Sequence, residues 1–311
     1  MTAPPTFASI REYVSRLGDV AFWWPYVTEI LERHDLSDAR REPVAGLNPT
    51  YPAFLCGDVL VKLFGYPRAW RESHAAECAA LALVAADPEI DAPRVLAEGR
   101  LYDDFDAPWP YLVMSRVSGV SWRDAELSAE QRSSVAADLG KQVRRVHALR
   151  PPAVVTHDDW PTLNVAAAAE QSSLPSHLIA QIEDFLARLA PFDRVFVHGD
   201  LCAMHAFVEN GRLTGIIDWG DATVTDRHYE LIQLYGDMFG CDKALLRVFL
   251  DACDWPVGRD FPCQALGLAL HRQAIGLAQH HTMDVFEPVA ARLPLPDIAT
   301  LDELATQLFE V

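Results

Sequence analysis

A chain of 311 residues, 50% of them apolar, carries enough hydrophobic material for a substantial core and is long enough for two lobes, which excludes a disordered chain. A net charge of −18 disfavours nucleic acid and anionic membranes as partners; it either favours a cationic ligand or serves solubility alone. No run approaches the roughly 18 apolar residues a membrane span needs, and the N-terminus lacks a basic segment leading into an apolar one, so a cytoplasmic protein is expected.

Residues 6–36 place apolar side chains at helical spacing (Ile10, Tyr13, Val14, Leu17, then Tyr26, Ile30, Leu31), and two helices are predicted on either side of Trp23-Trp24-Pro25. The Trp pair reads as core, since large rings bury area wherever they sit. From Pro43 the pattern turns to short β-like runs. Turn residues gather over 46–52, where the backbone either covers phosphates or makes a plain hairpin turn, and Gly57-Asp58 leads into an alternating strand over 59–64. Lys62 stands inside that strand, where an unpaired ammonium is costly, so it either snorkels to the edge or meets an anion. The helical segment that follows offers two carboxylates, Glu72 and Glu77.

An apolar strand over 109–115 then runs into a small flexible segment ending at Gly119. Amphipathic helices are predicted over 128–149, opened by the capping pattern Ser128-x-x-Gln131, and over 174–190, with a Pro- and then Ala-rich loop containing a short helix between them. Past residue 226, helices are predicted for HYELIQLYGDMFG, CDKALLRVFLDAC and the run from Cys263 to His281. Helical phase argues against a metal site at His271, His280 and His281, because 271 and 280 do not share an i, i+4 face. Acidic residues of this part (Asp237, Asp242, Asp251, Asp254, Asp260, Asp284, Glu287) either line a pocket for a polycationic sugar or face solvent. The six cysteines show no C-x-x-C pair or zinc-ribbon spacing and are expected to be reduced; Cys202 reads as an exposed loop position without a nucleophilic role.

The stretch 197–226 organises the rest. An apolar run ends in His198-Gly199-Asp200, and two β-rich segments follow, joined by Asn210-Gly211, the strongest short hairpin signal. A two-residue turn closed by Glu209 and Arg212 sets residue 205 opposite 216, with 218 its diagonal neighbour, so that His205 and Asp218 converge beside Asp200. Phosphoryl transfer requires such a set: a carboxylate for the attacking hydroxyl and ligands for a metal that bridges phosphates.

HGDLCAMH and IIDW resemble the aminoglycoside phosphotransferase family, small-molecule kinases with a protein-kinase-like fold, whose pattern is H-G-D-x-x-x-x-N followed by a hairpin and I-D-[WFL]. The resemblance implies an α+β, bilobal fold: a β-rich N-lobe over 1–114 with two N-terminal helices, a hinge over 115–119, and a helical C-lobe over 120–311 carrying the catalytic loop and hairpin. It implies Asp200 as the catalytic residue and Asp218 as a metal ligand. Lys62 then contacts the nucleotide phosphates with Glu77 as its helix partner, Glu72 being the alternative, and Ser115 C=O and Val117 N–H receive the adenine. The cofactors implied are ATP or GTP with Mg²⁺. His205 stands where the family has Asn, as in the macrolide branch, and makes Mn²⁺ a second candidate, because Mg²⁺ favours oxygen ligands while imidazole suits Mn²⁺ or Zn²⁺ better. Together with VKLFG, PYLVMSR and the tail from His280 onward, the chain most resembles the streptomycete-type hygromycin B phosphotransferases. The implied acceptor is a hydroxyl of a cationic antibiotic, with a macrolide, a small metabolite or an impaired kinase-like binding protein as rival readings, and the implied state is monomer or homodimer.

Overall fold

A computed structural model describes residues 2–36, 43–46, 50–66, 69–151, 163–280 and 283–311. Part of the expected phosphate-covering loop (47–49), residues 152–162 of the Pro- and Ala-rich loop and His281 lie outside the described residues, as does the side chain of His280. The chain divides into two compact units, one of Met1–Ala86 with Ala92–Val117 and one of Asp87–Asp91 with Ser118–Val311.

Among its described residues the first unit holds a five-stranded antiparallel sheet and three helices. Helices α1 (Ile10–Arg16) and α2 (Val20–Arg33) come first. The break between them falls at Gly18-Asp19 rather than at Trp23-Trp24-Pro25. Asp19 caps α2 by accepting from the Phe22 amide, and Pro25 lies inside the helix. Strands β1 (Val44–Ala45), β2 (Ala53–Cys56) and β3 (Val59–Leu63) follow, then α3 (Trp70–Val84), β4 (Val95–Arg100) and β5 (Pro110–Ser115), in the sheet order β1-β2-β3-β5-β4. Two-residue alternation sends Val59, Val61 and Leu63 of β3 to one face. There they join Phe54, Tyr111 and Val113 against Trp23, Val27, Ile30 and Leu31 of α2. Trp23 is fully buried, as core. The same alternation turns Lys62 to the other face, the side of α3.

The second unit begins with β6 (Val120–Ser121) and α4 (Ala129–Ala148). The Ser128 hydroxyl accepts from the Gln131 amide while the Gln131 side chain accepts from the Ser128 amide, a capping box that contributes about 1 kcal/mol. The short helices α5 (Val165–Ala169), α6 (Ser176–Ile179) and α7 (Ile182–Leu186) follow. The single helix expected over 174–190 is thus broken at Gln181. Its amide bonds Leu178 O in a tight turn, its side-chain amide takes His177 O and Ala299 O, and its Oε1 accepts from Leu301 N. A side chain that ties two segments together here replaces a backbone helical bond.

Strands β7 (Arg194–Val197), β8 (Ala206–Glu209), β9 (Arg212–Ile216) and β10 (Thr223–Asp226) form two small sheets, β7 with β10 and β6-β8-β9. Beyond them the predicted helix HYELIQLYGDMFG is instead a 3₁₀ turn, a single turn α8 (Leu231–Gln233) and a π-type turn over Leu234–Met238. Helices α9 (Lys243–Cys253), α10 (Phe261–His280), α11 (Glu287–Ala290) and α12 (Leu301–Phe309) complete the chain. Gly140 lets α4 approach α9, since a Cβ there would lie 2.4 Å from Phe249 O. Among the described residues no helix is long and apolar enough to cross a membrane. The expected α+β class is the one observed, with a sheet in the N-terminal part and mostly helices in the C-terminal part.

Candidate active site

In the first unit, Lys62 Nζ lies 2.7 Å from Glu77 Oε2, and both side chains are buried. Lys62 therefore meets an anion instead of snorkelling, and its ammonium also lies over the Phe64 ring, 5.5 Å from the ring centre. Glu72 is exposed in the first turn of α3, where a carboxylate favours the helix dipole. Ser115 ends β5, its amide donating to Arg94 O and its hydroxyl accepting from Arg94 N. Val117 is the last residue of the first unit.

In the second unit the strand, loop and hairpin form as the sequence indicates, with one difference in register. Asn210 and Gly211 both take positive φ, as the tight turn requires, and Glu209 pairs with Arg212. Thr214 then bulges out of the ladder, its hydroxyl bonding Ser118 O, so the pairs become Phe207 with Gly215 and Ala206 with Ile216. His205 accordingly sits opposite Ile217, whose amide bonds its carbonyl. Asp218 adopts left-handed backbone (φ 63°), and its Oδ2 comes within 3.6 Å of His205 Nε2. Convergence is thus reached through a bulge and a turned residue, in place of the straight diagonal. Trp219 anchors the turn: it is fully buried, donates from Nε1 to Ile216 O and packs on His198 with ring centres 4.7 Å apart.

The HGD loop is held from several sides. Gly199 has φ 85°, and a Cβ there would fall 2.0 Å from Asp221 O, so only glycine fits. Its amide donates to buried Glu230. His198 donates from Nε2 to Ile217 O and accepts from the Asp200 amide at Nδ1, the pattern of a neutral ring. Burial, with His205 beside it, pushes its pKa below the ordinary value. Asp237 accepts from Ala203 N and from Arg123.

Asp200 Oδ1 accepts from Gln233 Nε2 at 2.7 Å and from Arg272 Nη2 at 2.9 Å. Oδ2 accepts no hydrogen bond among the described residues and lies 3.5 Å from His205 Nδ1. Burial alone would raise the Asp200 pKa, but Arg272, His205 and Gln233 outweigh it and hold the carboxyl below the usual range. His205 donates from Nδ1 to Asp200 O at 2.7 Å, which in the neutral ring leaves the Nε2 lone pair facing Asp218. Burial disfavours the charged ring, yet Cys202, Asp200 and Asp218 around it raise its pKa to about 10. The surroundings of Nε2 therefore call for positive charge. An imidazole nitrogen with a carbonyl fixing its other side, 3.6 Å from a carboxylate oxygen, is a donor pair that fits a divalent cation.

The sequence reading missed Arg272, Gln233 and Glu230, all of which hold the loop. It also took Cys202 as exposed, whereas that side chain is buried because the turn that bonds His205 N to Cys202 O folds it inward. All six cysteines are free thiols. The acidic residues weighed for a sugar pocket are largely committed elsewhere: Asp237 to the loop, Asp242 to the α9 cap, Asp254 to Arg144, and Asp284 to Ser173.

Against known proteins, residues 23–261 match the model of the phosphotransferase enzyme family. The GDP complex of aminoglycoside 2'-phosphotransferase-IIIa superposes with TM-score 0.66 at 18% identity, over 92% of this chain and 98% of that one. The aminoglycoside phosphotransferase APH(3'')-Id of Streptomyces rimosus, solved with ADP and streptomycin, gives 0.56 at 23% over 81% and 98%. Macrolide 2'-phosphotransferase MphH of Brachybacterium faecium gives 0.55 at 20% over 93% and 99%. The fold is that of the kinase-like phosphotransferases.

Proposed function

We propose, for a chain that belongs to the phosphotransferase enzyme family and is a small-molecule kinase, that it transfers the γ-phosphoryl group of ATP or GTP to a hydroxyl of a cationic antibiotic, an aminoglycoside such as hygromycin B. The observation that carries this reading is the divided Asp200 carboxylate, with Oδ1 fixed by Gln233 and Arg272 and Oδ2 left for an acceptor hydroxyl. Oδ2 accepts the hydroxyl hydrogen bond, orients the oxygen for in-line attack and takes the proton as the new O–P bond forms and the bond to the leaving nucleoside diphosphate breaks. Arg272, His205 and Gln233 hold the Asp200 carboxyl below the usual range, so it meets the hydroxyl as an acceptor and carries a proton only once it has taken that of the hydroxyl. His205 and Asp218 hold Mg²⁺ or Mn²⁺, which when bound neutralises phosphate charge. Lys62, fixed by Glu77, contacts the phosphates, and Ser115 and Val117 meet the adenine through their backbone. The net charge of −18 supports a polycationic acceptor, and the neighbours solved with streptomycin and with kanamycin support the aminoglycoside class.

The test is nucleotide turnover by the purified protein with ATP or GTP, Mg²⁺ or Mn²⁺, and a panel of hygromycin B, other aminoglycosides and a macrolide. Turnover that depends on an aminoglycoside supports the reading. Turnover only with a macrolide moves the acceptor class, and none with any acceptor sinks the kinase assignment of the site.

The lysine pair carries its own expectation. A charge-assisted hydrogen bond to phosphate is worth about 1.5–3 kcal/mol, so Lys62→Met raises the nucleotide KM or lowers kcat/KM roughly ten- to hundredfold. Glu77→Gln does the same more mildly, and Glu72→Ala is silent. Steady-state kinetics on folded variants checks the order; a damaging Glu72→Ala beside a silent Glu77→Gln would contradict the pairing.

A further inference from the structure

Three unlike metal-binding groups meet on the inner side of the HGD loop. Asp200, Cys202 and His205 each offer one ligand atom, and these atoms lie within 4.8 Å of one another. The turn that bonds His205 N to Cys202 O at 3.1 Å brings the thiol and the imidazole together, and Ala203 between them is pinned by Asp237. Asp200 Oδ2, at 3.5 Å from His205 Nδ1, is the carboxylate oxygen that Arg272 and Gln233 leave unused. Asp218, on the far side of the imidazole, is not part of this set.

We propose that Asp200, Cys202 and His205 form a binding site for Zn²⁺, and that zinc there shuts the enzyme off. A sulfur, a nitrogen and an oxygen donor with a fourth position left for water is a ligand set zinc takes tetrahedrally, with bonds of about 2.0–2.3 Å. Bonds of that length put ligand atoms roughly 3.3–3.8 Å apart, so the loop closes by about 1 Å around the ion. Mg²⁺ prefers six oxygen donors and does not compete for a thiolate.

Binding releases the Cys202 proton to solvent. At His205, Nδ1 gives up its hydrogen bond to Asp200 O and its proton, which leaves for solvent from the charged ring or moves to Nε2 in the neutral one, and in either case Nε2 ends protonated. Two consequences follow for phosphoryl transfer. Zinc takes Oδ2, the oxygen that receives the acceptor hydroxyl, and a protonated Nε2 no longer offers a lone pair on the Asp218 side. The inhibition rests on the role proposed for Asp200, whereas the binding does not.

Cobalt reports on the site without any assay of activity. With the full-length protein, Co²⁺ is expected to give a thiolate-to-cobalt charge-transfer band and the intense visible bands of four-coordinate cobalt, at one ion per chain, discharged by Zn²⁺. Cys202→Ser and Cys202→Ala lose the charge-transfer band. In Mg²⁺-dependent turnover, stoichiometric Zn²⁺ causes near-complete loss that chelation with EDTA and re-addition of Mg²⁺ reverses, and both variants resist it relative to their own zinc-free rates. A band that persists in both variants, or equal zinc inhibition of them, overturns the proposal. A cobalt band lost in both variants, from a protein that phosphorylates none of the acceptors, would leave the metal site standing and sink the kinase reading instead.

Discussion

Asp200→Asn lowers kcat by roughly 10²- to 10⁴-fold, the scale of a lost acid–base group, and leaves nucleotide affinity near that of the parent. The substitution keeps the shape of the side chain and an oxygen for Gln233 and Arg272, but it removes the charge and the basic oxygen that the proposed role assigns to the acceptor hydroxyl and its proton. Asp200→Ala lowers kcat similarly and also leaves the buried Arg272 guanidinium without its carboxylate, so it loses stability as well. Kinetics at saturating acceptor and nucleotide, with binding of a non-hydrolysable nucleotide measured alongside, separates chemistry from affinity. A near-parental kcat for folded Asp200→Asn contradicts the role. So does a loss confined to nucleotide KM, which would place Asp200 among the groups that bind the cofactor.

The parts of this site that were legible in sequence are those written in local chemistry. Asn210-Gly211 specifies a turn with positive φ at both positions, and the turn forms. Ser128 and Gln131 specify a helix start, and the capping box is made in full. Lys62 was legible for a different reason: a charge inside an apolar strand demands a partner, and Glu77 is there. The register beyond Thr214 was not, because a bulge depends on a bond to Ser118, remote in sequence. The break at Gln181 likewise depends on backbone groups at 299–301. Arg272 could have been found by the reasoning applied to Lys62. It stands in the apolar run GLALHRQAIGLA, where a guanidinium needs an anion.

Arg272→Met is the second substitution expected to have a large effect. Arg272 is 4% exposed, donates from Nη2 to Asp200 Oδ1 and from Nη1 to Tyr229 OH, and lies with its guanidinium carbon 4.9 Å from the Tyr229 ring centre. Methionine fills much of the same volume but returns neither hydrogen bond, so the Asp200 carboxylate keeps its charge in a largely buried place with only Gln233 on Oδ1. Removing one partner of a buried ion pair costs about 3–5 kcal/mol, and the denaturation midpoint should fall accordingly with little change in slope. Activity falls too, because an Asp200 side chain tied by one bond rotates away from the acceptor. That loss is expected in kcat more than in either KM, since the Arg272 guanidinium is spent on Asp200 and Tyr229. Arg272→Lys restores a charge without the fork that reaches both partners and recovers part of the stability but less of kcat. Gln233→Met, which removes the other hold on the same oxygen without stranding a charge, loses less stability than Arg272→Met. Measured together, the four proteins separate a residue that merely fills the core from one that aims the carboxylate. If Arg272→Met is as active as the parent at temperatures where it is folded, Asp200 is positioned by something other than the arginine.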